Sequence, residues 1–113
     1  MNIRELANAI GAEVMTKSVD LNREVNAGYT CDLLSWVMAH GKEGMAWITV
    51  QTHMNVIAVA TLHDMSCVIV PEGIRVENDV AAKANEEGVA VLTSSLSAFE
   101  ICGRMYKAGV AAQ

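Results

Sequence analysis

The chain has 113 residues, 52% of them hydrophobic but only 4% aromatic, with 8 basic and 13 acidic side chains for a formal net charge of -5. This length suits one domain with a core of its own, so we expect a single domain over residues 1–113. No segment concentrates Lys and Arg, which disfavours nucleic acid as a partner. The longest apolar runs are far shorter than the roughly 20 residues of a membrane helix, so we expect a cytoplasmic protein without a membrane partner.

The three cysteines, Cys31, Cys67 and Cys102, are dispersed along the chain without a CxxC pair. An odd number of isolated thiols indicates neither a disulfide framework nor a metal site within one chain. We therefore interpret them as reduced thiols and predict no cofactor, no metal ligand and no catalytic residue. The sequence also has no dinucleotide-binding, P-loop, zinc-protease or serine-hydrolase motif, so no enzymatic activity is predicted.

The first third of the chain carries weak patterns. Residues 2–10 predict a short amphipathic helix, with Asn2 as its cap and Gly11 as its stop. Residues 12–16 predict a brief strand, and residues 17–27 are typical of a polar connection. The first 30 residues should therefore add only an edge strand or a helix to the rest of the domain.

From residue 32 onward, helices and strands alternate at short spacing. The pattern predicts a helix from its cap Asp32 to Gly41, strands over residues 45–50, 66–70 and 89–92, and helices over residues 54–62, 77–87 and 95–107. Such alternation builds a parallel sheet with right-handed crossovers, and continuous apolar strands indicate helices on both faces. The fold class is therefore α/β, a layered α/β/α single domain with a mostly parallel central sheet. In the last helix, Phe99, Cys102 and Tyr106 share one stripe, which we expect to face the core.

Polar residues follow each of the three buried strands. In open parallel sheets, ligands gather beyond the carboxyl ends of the strands, where helices begin. We therefore predict one crevice for a small anionic ligand, formed by Gln51, Thr52, His53, Gly73, Thr93, Ser94 and Ser95. Taken singly, each position has a simpler interpretation as a helix cap or an exposed loop residue, and Ser97 with Glu100 fits a capping box.

The predicted helix over residues 54–62 is apolar on nearly every side. Such a helix must be covered on both faces. With so apolar a chain, we predict that Met54, Val56, Ile57 and Val59 form the interface of a homodimer.

A family resemblance covers about residues 1–108. It rests on the segment REVNAGYTCDLLSWVMAHGKEGMAWITVQTHMNVIAVATL and its continuation MSCVIVPEGIRVENDVAAKANEEGVAVLTSSLSAFEICGRMY. The sequence resembles the DRTGG domain family, particularly small stand-alone members found beside iron-only hydrogenase genes. DRTGG domains occur beside CBS domains in regulated pyrophosphatases and in phosphate acetyltransferases, and they resemble the amino-terminal domain of HPr kinases.

The match to the family's motif is partial. The chain has Gln51, Thr52 and His53 in place of the Asp-Arg-Thr turn. It has Pro71, Glu72 and Gly73 in place of Thr-Gly-Gly, so Gly73 alone is retained. The same two loops would still form the predicted crevice.

The resemblance implies a layered α/β domain that dimerises and has a regulatory or associative role. We therefore predict a non-enzymatic regulatory or protein-association module, linked to hydrogenase or redox metabolism and with a hydrogenase-related protein as a partner. The alternative is an iron or iron-sulfur binding accessory protein whose cysteines are shared across a dimer. A third hypothesis, a small transferase or phosphatase, rests on His53 alone.

Overall fold

Two layers of helices enclose a sheet in the computed structural model, which describes residues 1–112. The described elements are α1 (Ile3–Ala9), β1 (Glu13–Val14), β2 (Ala27–Thr30), α2 (Leu34–His40), β3 (Met45–Ile48), α3 (Met54–Leu62), β4 (Cys67–Val70), α4 (Asn78–Glu87), β5 (Ala90–Thr93) and α5 (Ala98–Lys107). The strands lie in the order β1-β5-β4-β3-β2, with β2 to β5 parallel and β1 antiparallel to β5. The predicted α/β fold with a mostly parallel sheet is confirmed. None of these helices is long and apolar enough to cross a membrane.

Side chains of the parallel strands alternate between two cores. Trp47 and Val68 belong to the core beneath α2, α3 and α4. Their neighbours Ile48 and Ile69 belong to the core beneath α1 and α5. Consecutive parallel strands are neighbours in the sheet, so right-handed crossovers place α2, α3 and α4 on the same face. All residues of β3 and β4 are buried, as their continuous apolar runs indicated.

The amino-terminal elements agree in part with the sequence patterns. α1 starts with a complete capping box between Asn2 and Glu5, and β1 forms the antiparallel edge of the sheet. The strand β2 was not predicted, because its four residues include Gly28 and have no clear apolar period. It pairs with β3 on one side, and on the other the Gly28 amide donates to the carbonyl of Ala111 at 2.9 Å.

The start of α2 differs from the prediction. Its N-cap is Leu33, and no side chain caps the helix. The carboxylate of Asp32 instead accepts hydrogen bonds from the hydroxyl of Thr49 at 2.8 Å and from the amide of Val50 at 3.0 Å. A charged acceptor forms strong hydrogen bonds with such donors. Asp32 therefore ties the loop after β2 to the end of β3 rather than capping a helix.

One face of the central helix α3 is buried by its own chain. Val56, Ile57 and Val59 are only 1%, 2% and 4% exposed and pack in the core with β3 and β4. α3 lies between α2 and α4, which accounts for its buried apolar residues, while Ala58 and Leu62 on its outer side are exposed. The prediction that these three residues form a dimer interface is therefore wrong, and only Met54 of the predicted set is half-buried.

The last helix, α5, is rotated relative to the prediction. Ile101 and Met105 are the residues that it buries. Phe99 and Tyr106 are 90% and 74% exposed, so the expectation that their stripe faces the core is wrong. Ile101 and Met105 also have helical spacing, and this aliphatic pair packs against the sheet. Cys102 lies beside the pair and is half-buried.

Candidate functional site

Local hydrogen bonds stabilise the residues that directly follow β3, which we call the exit of this strand. The hydroxyl of Thr49 accepts from the amide of Gln51 at 3.1 Å, and the side-chain amide of Gln51 donates to the carbonyl of Asp32 at 3.3 Å. His53 is the N-cap of α3, and its Nδ1 accepts from the amide of Asn55 at 3.1 Å. This bond requires that Nδ1 carry no proton. His53 thus has the simpler role of a helix cap.

The exits of β4 and β5 are joined to each other. The amide of Glu72 donates to the carbonyl of Leu96 at 2.8 Å, and the amide of Gly73 donates to the carbonyl of Ser94 at 2.9 Å. Both Glu72 and Gly73 have left-handed φ angles of +64°. The turn after β4 is therefore fixed against the loop after β5, and the Gly73 amide is already used by the fold.

Ser94 has a structural role at this junction. Its side chain is buried, its hydroxyl donates to the carbonyl of Ile10 at 2.8 Å, and its oxygen accepts from the amide of Leu96 at 3.2 Å. The hydroxyl is thus committed to the fold, and the structure does not support it as a ligand group. Thr93 is half-buried and Ser95 is exposed, and within residues 1–112 no hydrogen bond uses either hydroxyl.

The seven predicted ligand residues line two clefts rather than one crevice. The first cleft, of about 480 Å³, is lined by Gly11, Glu13, Met15, Gly73, Ile74, Arg75, Val76, Asn78, Thr93, Ser94 and Ser95. The second, of about 450 Å³, is lined by Val50, Gln51, Thr52, His53, Met54, Glu77, Asp79 and Val80. We call them the Arg75 cleft and the His53 cleft. The segment that leads from β4 into α4 contributes residues to both.

Charge distinguishes the two clefts. The His53 cleft contains two carboxylates, Glu77 and Asp79, which disfavour an anion. The Arg75 cleft contains one guanidinium and one carboxylate, that of Glu13. The guanidinium of Arg75 is 3.9 Å from the carboxylate of Glu77, and both side chains are exposed. Such a pair is weak, so Arg75 remains available to an anion.

Arg75 is the residue that the sequence prediction missed. It lies two residues after Gly73, inside the loop that the prediction had already identified, but it follows the turn instead of ending the strand. The positive charge of Arg75, two residues from the predicted ligand residue Gly73, is the sequence feature that could have identified it. Arg75 is the fifth residue after the end of β4, beyond the three residues that directly follow the strand.

The thiols do not form a metal centre in the described part of the chain. No group of three or more His, Cys, Asp or Glu side chains within residues 1–112 could hold a metal ion. Burial raises the pKa of the Cys67 thiol to about 12, and burial also raises the pKa of Cys102. Metal binding requires the thiolate, so the environment of Cys67 opposes a role as a ligand.

Comparison with known proteins identifies a family and solved structures of the same fold. The family model described as DRTGG domain matches residues 5–108. The crystal structure of the CBS and DRTGG domains of the regulatory region of Clostridium perfringens pyrophosphatase, complexed with the activator diadenosine tetraphosphate, matches with a TM-score of 0.76 and 15% identity. The match covers 92% of this chain and 45% of that chain, so this chain spans less than half of its solved neighbour. No curated protein matches.

Proposed function

The chain belongs to the DRTGG domain family, and from this membership we propose that it is a non-enzymatic regulatory module that senses a small anionic ligand. The ligand binds in the Arg75 cleft, beyond the carboxyl end of β5. The observation that carries the proposal is the combination of an exposed guanidinium with two hydroxyls, those of Thr93 and Ser95, at the wall of one cleft.

Each group in this cleft has a distinct role toward an anion. Arg75 supplies positive charge and can donate two parallel hydrogen bonds to a phosphate or carboxylate. The hydroxyls of Thr93 and Ser95 donate further hydrogen bonds without adding charge. The junction between the β4 and β5 exits fixes the walls, because Gly73 and Ser94 are hydrogen-bonded to each other. The site is thus largely formed before the ligand binds.

The volume of the Arg75 cleft and the ligand bound to the similar solved structure both suggest a class of ligand. A volume of about 480 Å³ lies within the range of roughly 300–1,000 Å³ typical of small-molecule sites. The neighbouring pyrophosphatase region is a regulatory region in complex with diadenosine tetraphosphate. We propose a phosphate-bearing metabolite, such as a nucleotide, as the ligand of this chain.

Two finer predictions from the sequence remain proposals. The association with hydrogenase or redox metabolism, with a hydrogenase-related protein as partner, rests on the family resemblance alone. The iron or iron-sulfur alternative needs thiolates, and the raised pKa of Cys67 counts against it. We retain regulation by an anion as the main function.

A thermal-shift experiment tests the proposal. The purified chain is melted with pyrophosphate, ATP or diadenosine tetraphosphate, and a ligand at a hundred times its dissociation constant should add about 2.7 kcal/mol of stability. In a domain of this size that corresponds to a rise of about 10 °C in Tm. Arg75→Gln and Ser95→Ala should reduce the shift.

Lys42→Gln is the matched control. Lys42 lies in the loop before β3, at the amino ends of the parallel strands and so away from the cleft, and its replacement changes the net charge by the same amount. This variant should keep the full shift. No shift with any of the three probes, or an equal shift in wild type and Arg75→Gln, would contradict the proposed site.

A further inference from the structure

An apolar groove of about 300 Å³ lies between the neighbouring helices α3 and α4. We call it the α3–α4 groove, and α3 supplies most of the residues that line it. Met54, Ala58 and Leu62 follow one another at intervals of four residues, so they lie on one side of this helix. Met54 is half-buried, Ala58 is exposed and Leu62 is 69% exposed. This side of α3 is therefore apolar, although its own chain leaves it largely uncovered.

Charge enters the groove only from α4, because α3 has no charged residue. Lys83 and Glu87 of α4 line the second wall. The ammonium of Lys83 is 3.0 Å from the carboxylate of Glu87 and 4.0 Å from that of Glu86. The positive charge of Lys83 is thus balanced within its own helix, and the two carboxylates leave this wall with an excess of negative charge.

The α3–α4 groove continues into the His53 cleft, since Met54 lines both. The cleft adds the carboxylates of Glu77 and Asp79. Glu77 is also 3.9 Å from the guanidinium of Arg75, but both side chains are exposed and such a pair is weak. The joined surface therefore has an apolar floor along α3 and carboxylates on its α4 side, beside the beginning and the end of that floor.

We propose that the α3–α4 groove binds an amphipathic helix of a different protein, with an apolar stripe and with Lys or Arg on its flanks. The groove between two packed helices has the shape into which the side chains of a third helix fit. The nine residues of α3 extend over about 13 Å, at a rise of about 1.5 Å per residue, which is room for two to three turns of the partner helix.

The pattern of the groove specifies the residues of the partner. Apolar side chains at positions i, i+4 and i+7 of the partner helix contact Met54, Ala58 and Leu62. Its basic side chains lie against the carboxylates on the α4 side, and this complementarity favours a basic helix over an acidic one. A second copy of this chain fits less well, because each copy has a net charge of -5 and the copies repel each other.

Two synthetic peptides are the probes for this surface. Both have about 15 residues, a length at which an isolated helix begins to be stable, and both have Leu at positions i, i+4 and i+7. One has Lys on both flanks of the Leu stripe, and the other has Glu at the same positions. Fluorescence anisotropy with the full chain should show saturable binding of the Lys peptide and at least about tenfold weaker binding of the Glu peptide. Added NaCl should weaken the binding of the Lys peptide.

A pair of variants tests the apolar floor. Leu62→Ser truncates an exposed side chain of the groove and should weaken the Lys peptide by about fivefold or more. Phe99→Ser is the matched control, because it makes the same apolar-to-polar change at a 90% exposed position on α5, in the other helical layer. It should leave the affinity unchanged. Since both positions are exposed, both variants should keep the circular dichroism and Tm of the wild type.

A second pair of variants tests the charge. Glu87→Gln removes a carboxylate that is paired with Lys83 four residues before it, and it should weaken the Lys peptide by about two- to fivefold while it strengthens the Glu peptide. Glu100→Gln is the matched control, because Glu100 is likewise paired with a base four residues away, Arg104 at 3.6 Å. This variant should change neither affinity.

Three results would overturn the proposal. The first is a Lys peptide that does not bind saturably or binds no better than the Glu peptide. The second is a loss of affinity in Phe99→Ser or Glu100→Gln as large as that in Leu62→Ser or Glu87→Gln. The third is a wild type that self-associates in sedimentation and becomes monomeric in Leu62→Ser, because the groove would then hold a second copy instead of a basic helix.

Discussion

Replacing Ser94 with alanine separates a structural role from a role in ligand binding. The Ser94 hydroxyl donates to the Ile10 carbonyl at 2.8 Å and accepts from the Leu96 amide at 3.2 Å. Each hydrogen bond contributes about 1 kcal/mol, and a buried group left without its partner costs more. We therefore expect Ser94→Ala to lower the free energy of unfolding by about 2–3 kcal/mol, or Tm by about 10 °C.

Chemical denaturation followed by circular dichroism measures this loss, with Ser95→Ala as the matched control. Ser95 is the exposed neighbour of Ser94, so its truncation should change stability by less than about 0.5 kcal/mol. The reasoning is refuted if Ser94→Ala is as stable as the wild type. It is equally refuted if Ser95→Ala is the more destabilised of the two.

Three further perturbations follow from single contacts. Burial raises the pKa of Cys67 from 9.0 to about 12, so this thiol ionises at lower pH in the unfolded chain than in the folded one. The free energy of unfolding should therefore fall by about 1 kcal/mol per pH unit between pH 9 and pH 12. Denaturation of Cys67→Ala at several pH values should lack this slope. Val56→Asp buries a charge in the core and should unfold the chain, whereas Ala58→Asp on the exposed side of α3 should fold, as circular dichroism would show. Asp32→Ala removes the acceptor of Thr49 and Val50 and should cost about 2 kcal/mol in denaturant titrations.

The layered fold followed from local sequence because its central strands are short, apolar runs. β3 and β4 lie within their predicted spans, and β5 extends one residue beyond its span, to Thr93. Residues such as Gly44, Pro71 and Gly88 separate these strands from the neighbouring helices. A strand buried on both faces has no polar alternation, so the run itself is the signal. Because connections in parallel sheets are short and right-handed, the alternating order of helices and strands then allowed only a few topologies.

The edge strand and the faces of two helices depended on contacts that local sequence does not specify. β2 is stabilised by its pairing with β3 and with Ala111 near the end of the chain. The uniform apolarity of α3 fitted either a dimer interface or a central place among α2 and α4. On α5 the aliphatic pair Ile101 and Met105 competed with the aromatic pair Phe99 and Tyr106, and packing against the sheet decided between them.

The predicted ligand residues lie at one edge of the sheet, but they line two clefts instead of the one crevice that we expected. The sequence placed polar residues at three strand exits, and parallel strands do bring those exits to one edge. It could not show that the segment Ile74–Glu77 divides them into two clefts. Nor could it show that hydrogen bonds already use the Ser94 hydroxyl and the Gly73 amide, because their partners at Ile10 and Ser94 lie far along the chain.

The most direct test of the central claim is a backbone NMR titration of the isotope-labelled chain with diadenosine tetraphosphate and with pyrophosphate. We expect the perturbed amides to cluster around Gly73, Arg75 and Ser95, and we expect the perturbations to be lost in Arg75→Gln but kept in Lys42→Gln. Perturbations centred on Gln51 to His53 instead, or no saturable perturbation with either probe, would contradict it.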